Sequence, residues 1–87
     1  MSEIQISNQV LAQELAGETV ILDMRSESYF GLNEVGTRIW ALIEEGVAPE
    51  AMVDVLLDEY VIEREVLEKD VADLLGELKQ AGLIEFA

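Results

Sequence analysis

Two residue types are missing from this chain altogether: it has neither cysteine nor histidine. Without cysteine there is no disulfide, no thiolate nucleophile and no zinc–thiolate site. Without histidine the commonest general base and the commonest metal ligand are gone together. Basic residues are scarce as well, five Lys and Arg in all against nineteen acids, for a net charge of −14. Affinity for nucleic acid comes largely from Lys and Arg neutralising phosphates, so such a surface repels a phosphate backbone. An anionic membrane is disfavoured on the same ground, and neither is expected as a partner. No apolar run approaches the ~18 residues of a membrane span, and the N-terminus carries no basic-then-apolar signal. The expected setting is cytoplasmic, and no metal or cofactor is expected.

What is present fits one core. At 87 residues the chain reads as a single domain over residues 1–87, of a size that buries only ~60–65% of the surface its unfolded form exposes. Fourteen of the nineteen acids lie in residues 34–87. The excess either keeps a small, apolar-rich domain soluble or steers a basic partner toward it.

The patterning changes at Asn33. Before it, apolar residues recur with period two; after it, with helical spacing, which makes the chain α+β. Ile4 and Ile6 alternate with Gln5 and Ser7 as an extended lead-in. Val10 to Leu15 is a strand, Ala16-Gly17 a turn, and Thr19 to Met24 the clearest strand. In the latter, Val20, Leu22 and Met24 face one way and Ile21, Asp23 and Arg25 the other. The polar loop Arg25-Ser26-Glu27-Ser28 leads into Tyr29–Leu32, completing an antiparallel meander in the order first, second, third. Asn33 then offers a side-chain oxygen to the free N–H groups of a helix, and Glu34 complements its dipole. Gly36 in that first turn costs stability unless another segment passes close by. The first helix runs from Glu34 to about Glu45, with Val35, Ile39, Trp40, Leu42 and Ile43 inward and Gly46 as its stop. Pro49 opens a second helix ending near Tyr60, which buries Met52, Val53, Leu56, Leu57 and Tyr60. The third helix, Arg64 to Ala81, has the stripe Leu67, Val71, Leu74, Leu75, Leu78 and stops at Gly82. Gly76 lies inside it, again suggesting a close neighbour. Ile84 and Phe86 are expected to fold back on the core.

Chemistry finds little to stand on. Asp54, Asp58 and Glu59, or Glu63, Glu65 and Glu68, lie on helix faces opposite the apolar stripes, where carboxylates are solvated and untuned. No twelve-residue loop of alternating acids around a glycine exists to hold Ca²⁺. Ser26 and Ser28 have no histidine to activate them, so no enzyme is expected. The Asp-Ser-Leu of an acyl carrier protein is absent. Two helices beside a small sheet suit a winged helix, but a DNA reader needs bases on its recognition helix. Residues 63–80 offer Arg64, Lys69 and Lys79 against six acids. A module that binds protein or peptide remains.

The residues carry a resemblance to such a module. Val20-Ile21-Leu22-Asp23, a polar loop, Tyr29-Phe30-Gly31-Leu32-Asn33, then Gly36 and Ile39-Trp40 resemble the PqqD-like family. These are precursor-peptide chaperones of pyrroloquinoline-quinone biosynthesis and related recognition elements (RiPP recognition elements) for ribosomally made, modified peptides. The likeness continues through Leu56, Glu59-Tyr60, Leu74-Leu75, Leu78 and Gly82-Leu83-Ile84. It departs at Ala48 and Glu63, poor caps for the second and third helices. The resemblance implies a winged-helix-like fold, a three-stranded antiparallel sheet followed by three helices. It also implies that the leader of a precursor peptide adds as a further strand on the third strand, in a groove shared with the third helix. Stand-alone members of this length often serve lasso-peptide pathways, handing the precursor to a leader peptidase and cyclase; other members serve a radical enzyme.

On that footing the peptide-binding residues are Ser28, Tyr29, Phe30, Gly31 and Leu32 on the strand, with Val66, Lys69, Asp70, Asp73 and Leu74 on the helix. The third strand ends the meander, so its outer edge carries unpaired backbone groups that a guest strand satisfies. Phe30 and Leu32 share a face with Trp40 and belong to the core; Tyr29 and Gly31 point the other way, and Gly31 leaves room for a guest side chain. The alternatives are a generic acidic protein–protein interaction domain and a winged-helix DNA-binding regulator. Monomer and homodimer, the latter through pairing or exchange of edge strands, both stay open.

Overall fold

A computed structural model describes residues 4–86. The elements run β1 (Ile4–Ile6), β2 (Val10–Leu15), β3 (Glu18–Asp23), β4 (Ser28–Leu32), α1 (Glu34–Glu44), α2 (Pro49–Glu59), α3 (Arg64–Gln80) and β5 (Ile84–Phe86). The expected meander is present as an antiparallel sheet in the order β2-β3-β4. Ala16 and Gly17 close its first hairpin, both at positive φ (56° and 82°), between the paired Leu15 and Glu18. That is the two-residue turn whose twist matches right-handed strands.

One pairing is not legible in the sequence. The lead-in strand and the closing strand are each other's partners: β1 pairs antiparallel with β5, Ile6 opposite Ile84. The Ser7 N–H extends the tie by donating to the Leu83 carbonyl at 3.0 Å. Ile84 is fully buried, and Ile4 and Ile6 pack against the core beside it.

The core lies between the sheet and the helices. Ile21, Ile39, Leu42, Met52, Leu56, Leu67, Leu78 and Leu83 are essentially inaccessible. Trp40 is buried too, with its indole N–H donating to Glu44 Oε2 at 3.1 Å, so the ring is covered without leaving a polar atom unpaired. The inward face of β3 is Thr19, Ile21 and Asp23, not the more apolar Val20, Leu22 and Met24. Register explains this: Ile21 lies between Ala12 of β2 and Phe30 of β4, and Thr19 beside Leu32, so the inward set spans all three strands.

The helix ends follow local chemistry. Asn33 caps α1, its Oδ1 accepting from the Gly36 N–H at 2.8 Å. A Cβ on Gly36 would lie 3.2 Å from that oxygen and 3.3 Å from Leu32 Cβ, so the close neighbour is the strand-to-helix junction itself. Helices α1 and α3 both end on a left-handed glycine, Gly46 and Gly82, with N–H groups of Val47 and Leu83 reaching back to Leu42 and Leu78 carbonyls. Ala48 and Glu63 occupy the N-cap positions of α2 and α3 and make no side-chain cap. Leu57, Tyr60 and Leu74 are only half-buried. Gly76 departs from expectation: nothing lies within 4 Å of where its Cβ would be, so no close packing requires it.

Candidate functional site

The backbone of β4 fixes what its outer edge presents. The Met24 N–H donates to the Gln9 carbonyl, so at that register β3 points toward β2. Backbone polarity alternates along an antiparallel strand, so Thr19, Ile21 and Asp23 bond toward β4 instead. Their partners are Leu32, Phe30 and Ser28. The N–H and C=O groups of Tyr29 and Gly31 are therefore the ones turned outward, on a strand with no further neighbour in its sheet among the described residues.

That edge opens on a groove of about 420 Å³. One wall is the strand and junction, Phe30 to Asn33; the other is α3, with Asp70, Asp73, Leu74 and Glu77. Val35, Gly36 and Ile39 of α1 close it beneath. Beside Gly31 the space is clear, with no atom within 4 Å of a notional Cβ. The groove thus offers backbone partners along one side, apolar side chains below, and carboxylates along the other side.

Of the sequence-derived site residues, Phe30, Gly31, Leu32, Asp70, Asp73 and Leu74 come together as groove lining. Lys69 stands next to it through an i,i+4 bond to Asp73 of 2.6 Å, and this hydrogen bond raises the lysine's pKa above its ordinary 10.5. Ser28, Tyr29 and Val66 do not line the groove; Tyr29 stands on the outer sheet face, 73% exposed. Sequence reasoning left out Asn33, Val35, Gly36, Ile39 and Glu77. Val35 and Ile39 were readable as one stripe of α1, and Glu77 lies one turn beyond Asp73 on the same side of α3.

Two ion pairs tie the surrounding elements together. Arg25 binds Asp23 through Nε and Nη2, at 3.1 and 3.2 Å, and also donates to the Gly82 carbonyl at 2.9 Å. The β3–β4 turn is thereby tied to the end of α3. The Arg25 hydrogen bond holds the Asp23 carboxyl below the ordinary 3.8. Arg38 of α1 makes a bidentate pair with Glu59 of α2, both contacts at 2.7 Å, and lowers the Glu59 pKa in turn. Among the described residues no group of three His, Cys, Asp or Glu could hold a metal ion, and no helix is long and apolar enough to cross a membrane.

No curated protein matches the sequence. The solved structure "TbiB1 in Complex with the TbiA(beta) Leader Peptide" is 41% identical, with a TM-score of 0.87 over 93% of this chain and 94% of that one. "Lasso peptide synthetase B1 complexed with the leader peptide" is 28% identical, with a TM-score of 0.85 over 94% and 96%. Residues 18–84 match the family described as "Coenzyme PQQ synthesis protein D (PqqD)". With that match extending from β3 through the start of β5, the chain belongs to the PqqD family.

Proposed function

We propose that this chain binds the leader region of a ribosomally synthesised precursor peptide, in a lasso-peptide pathway, and presents it to modifying enzymes such as a leader peptidase and cyclase. It performs no chemistry of its own and works in the cytoplasm. The leader enters as a fourth strand beside β4, its backbone pairing with Tyr29 and Gly31. Alternate side chains then point down between β4 and α3 toward Val35, Ile39 and Leu74. The observation that carries this reading is the coincidence of outward backbone groups with a groove along the same edge. Backbone pairing supplies affinity for any extended segment; the pockets below it select the sequence. The solved relatives with bound leader peptides favour the same ligand class for this groove.

The acids have a place in this scheme. Asp70, Asp73 and Glu77 along the helix wall favour a leader with basic residues near its apolar anchors. A DNA-binding role is disfavoured by these same side chains, because α3 would have to place them against phosphate. Isothermal titration calorimetry with the leader encoded beside this chain's gene is expected to give one-to-one binding. Absence of binding to leader and full precursor alike would leave only a generic interaction domain.

A further inference from the structure

The outer face of the β2-β3-β4 sheet is the most unusual surface of the molecule. A sheet with one face on a core ordinarily turns polar residues to water on the other. Here Leu11, Leu15, Val20, Met24 and Tyr29 are all exposed, and Leu22 is half-buried among them. Register makes them one surface: Leu11 lies opposite Leu22, and Leu22 opposite Tyr29, in a row across all three strands. Val20 sits in the next row between Gln13 and Gly31. The inward face of β3, by contrast, holds Thr19 and Asp23. Contiguous apolar surface bordered by polar residues marks an interaction site.

The charges around it say what kind of partner fits. Glu18 shares this face at one end, opposite Leu15, and Glu27 sits exposed in the β3–β4 turn at the other. Among the described residues no free base balances them. Arg25 is held by Asp23 and the Gly82 carbonyl; Arg38, Arg64 and Lys69 are each paired with acids on the helices; Lys79 lies in the last turn of α3. A second copy would bring acid against acid, each chain carrying −14. A partner with an apolar strip bordered by Lys or Arg meets complementary charge instead.

We propose that this outer sheet face is the docking surface for a protein partner of that description, and that the partner is the enzyme which acts on the bound precursor. The identity of the partner rests on the leader-binding reading; the location of the surface does not. The face is also continuous with the groove, because Tyr29 and Gly31 show their side-chain positions on the sheet and their backbone at its edge. An enzyme seated there stands beside the leader without covering the groove.

The test measures the affinity of the purified full chain for the leader-processing enzyme encoded beside it, and separately for the leader. The double variant Leu11→Gln/Met24→Gln is expected to weaken enzyme binding by about tenfold or more, as loss of central apolar contacts does. Its leader affinity and far-ultraviolet circular dichroism stay at wild-type values. Leu15→Gln, at a position 76% exposed, is the milder variant if the double one folds poorly. Glu18→Lys is expected to slow association with the enzyme and leave leader binding intact. Unchanged enzyme affinity in the folded variants, or no enzyme binding by the wild type, overturns the proposal. So does a wild-type dimer in sedimentation velocity that Leu11→Gln/Met24→Gln dissociates, since a second copy is then the occupant. Loss of enzyme affinity in a protein that binds no leader supports the surface while refuting the leader reading.

Discussion

The sheet has two free edges, β2 and β4, and they are not alike. Among the described residues, both leave N–H and C=O groups without a strand partner. Alternation turns Val10, Ala12 and Glu14 outward on β2, just as it turns Tyr29 and Gly31 outward on β4. On the β2 side a cleft of about 80 Å³ runs from Ala12 and Glu14 to Trp40 and Glu44 of α1. Beside β4 the helix α3 stands back, leaving about 420 Å³. An open edge alone is a liability shared by every unclosed sheet. A binding site needs the second wall, set at a distance that admits one strand.

The sharpest way to break this comparison is a matched pair of prolines. Gly31→Pro and Glu14→Pro each delete one outward N–H from an edge strand, where proline is tolerated because no ladder bond is lost. Gly31→Pro is expected to weaken leader binding by about 10- to 100-fold, the cost of a lost hydrogen bond together with a blocked approach. Glu14→Pro is expected to leave binding unchanged. Both should keep wild-type circular dichroism. Leader binding that survives in a folded Gly31→Pro protein, or that falls equally in both variants, would place the site elsewhere.

The next comparison is within the groove, between its floor and its acidic wall. Truncating the leader's largest apolar side chain to alanine is expected to cost roughly 1–3 kcal/mol, from apolar surface no longer buried. Replacing Asp70 and Asp73 together by Asn should cost less, because both are exposed and Asp73 is already engaged by Lys69. Added salt should slow association and leave dissociation nearly untouched. Equal losses in calorimetry would mean that α3 reads charge directly.

The second wall itself can be loosened. Asp23, Arg25 and the Gly82 carbonyl tie the sheet to the end of α3. Asp23 titrates below its ordinary 3.8 in the folded chain because of the Arg25 hydrogen bond. A carboxyl depressed on folding stabilises the fold above its unfolded pKa, and that stability is lost as pH falls through the folded value. The stability gap between wild type and Asp23→Asn should thus be constant above about pH 5 and shrink toward zero in stronger acid. Total stability moves oppositely at first, since lowering pH from 7 relieves repulsion among nineteen acids. The difference curve from chemical denaturation at several pH values separates the two. A gap that persists unchanged in strong acid would mean the carboxylate is not what holds the turn.

The sheet–helix order, the helix boundaries and half of the groove were legible because each rests on local signals. Asn33 marks the start of α1, Pro49 the start of α2, and Gly46 and Gly82 the ends of α1 and α3. The β1–β5 pairing was not legible, because two three-residue strands separated by most of the chain carry no local mark of each other. The inward face of β3 was equally hidden. Alternation in Thr19–Asp23 separates two faces but does not say which is buried, and apolarity alone points to the wrong one. Only the register against Ala12 and Phe30 decides it. The lower lining of the groove was missed for a related reason: Val35 and Ile39 read as core positions of α1, and the sequence does not reveal that they also border the space between β4 and α3.

The smallest effect concerns the two helical glycines, which a sequence treats alike and the structure separates. Gly36 lies at the junction lining the groove, where an added Cβ meets Asn33 Oδ1 and Leu32 Cβ at 3.2 and 3.3 Å. Gly36→Ala must shift the cap or the strand end, so it should destabilise the protein and weaken leader binding. Gly76 lies on α3 away from the groove, in open space. Gly76→Ala should stabilise by roughly 0.5–1 kcal/mol, the ordinary gain from replacing glycine within a helix. If the second wall is a rigid spacer, the more helical α3 of Gly76→Ala keeps wild-type leader affinity. A drop in affinity with rising thermal stability would show instead that α3 must flex to admit the strand, and the contrast between the two edges would then lie in mobility, not spacing.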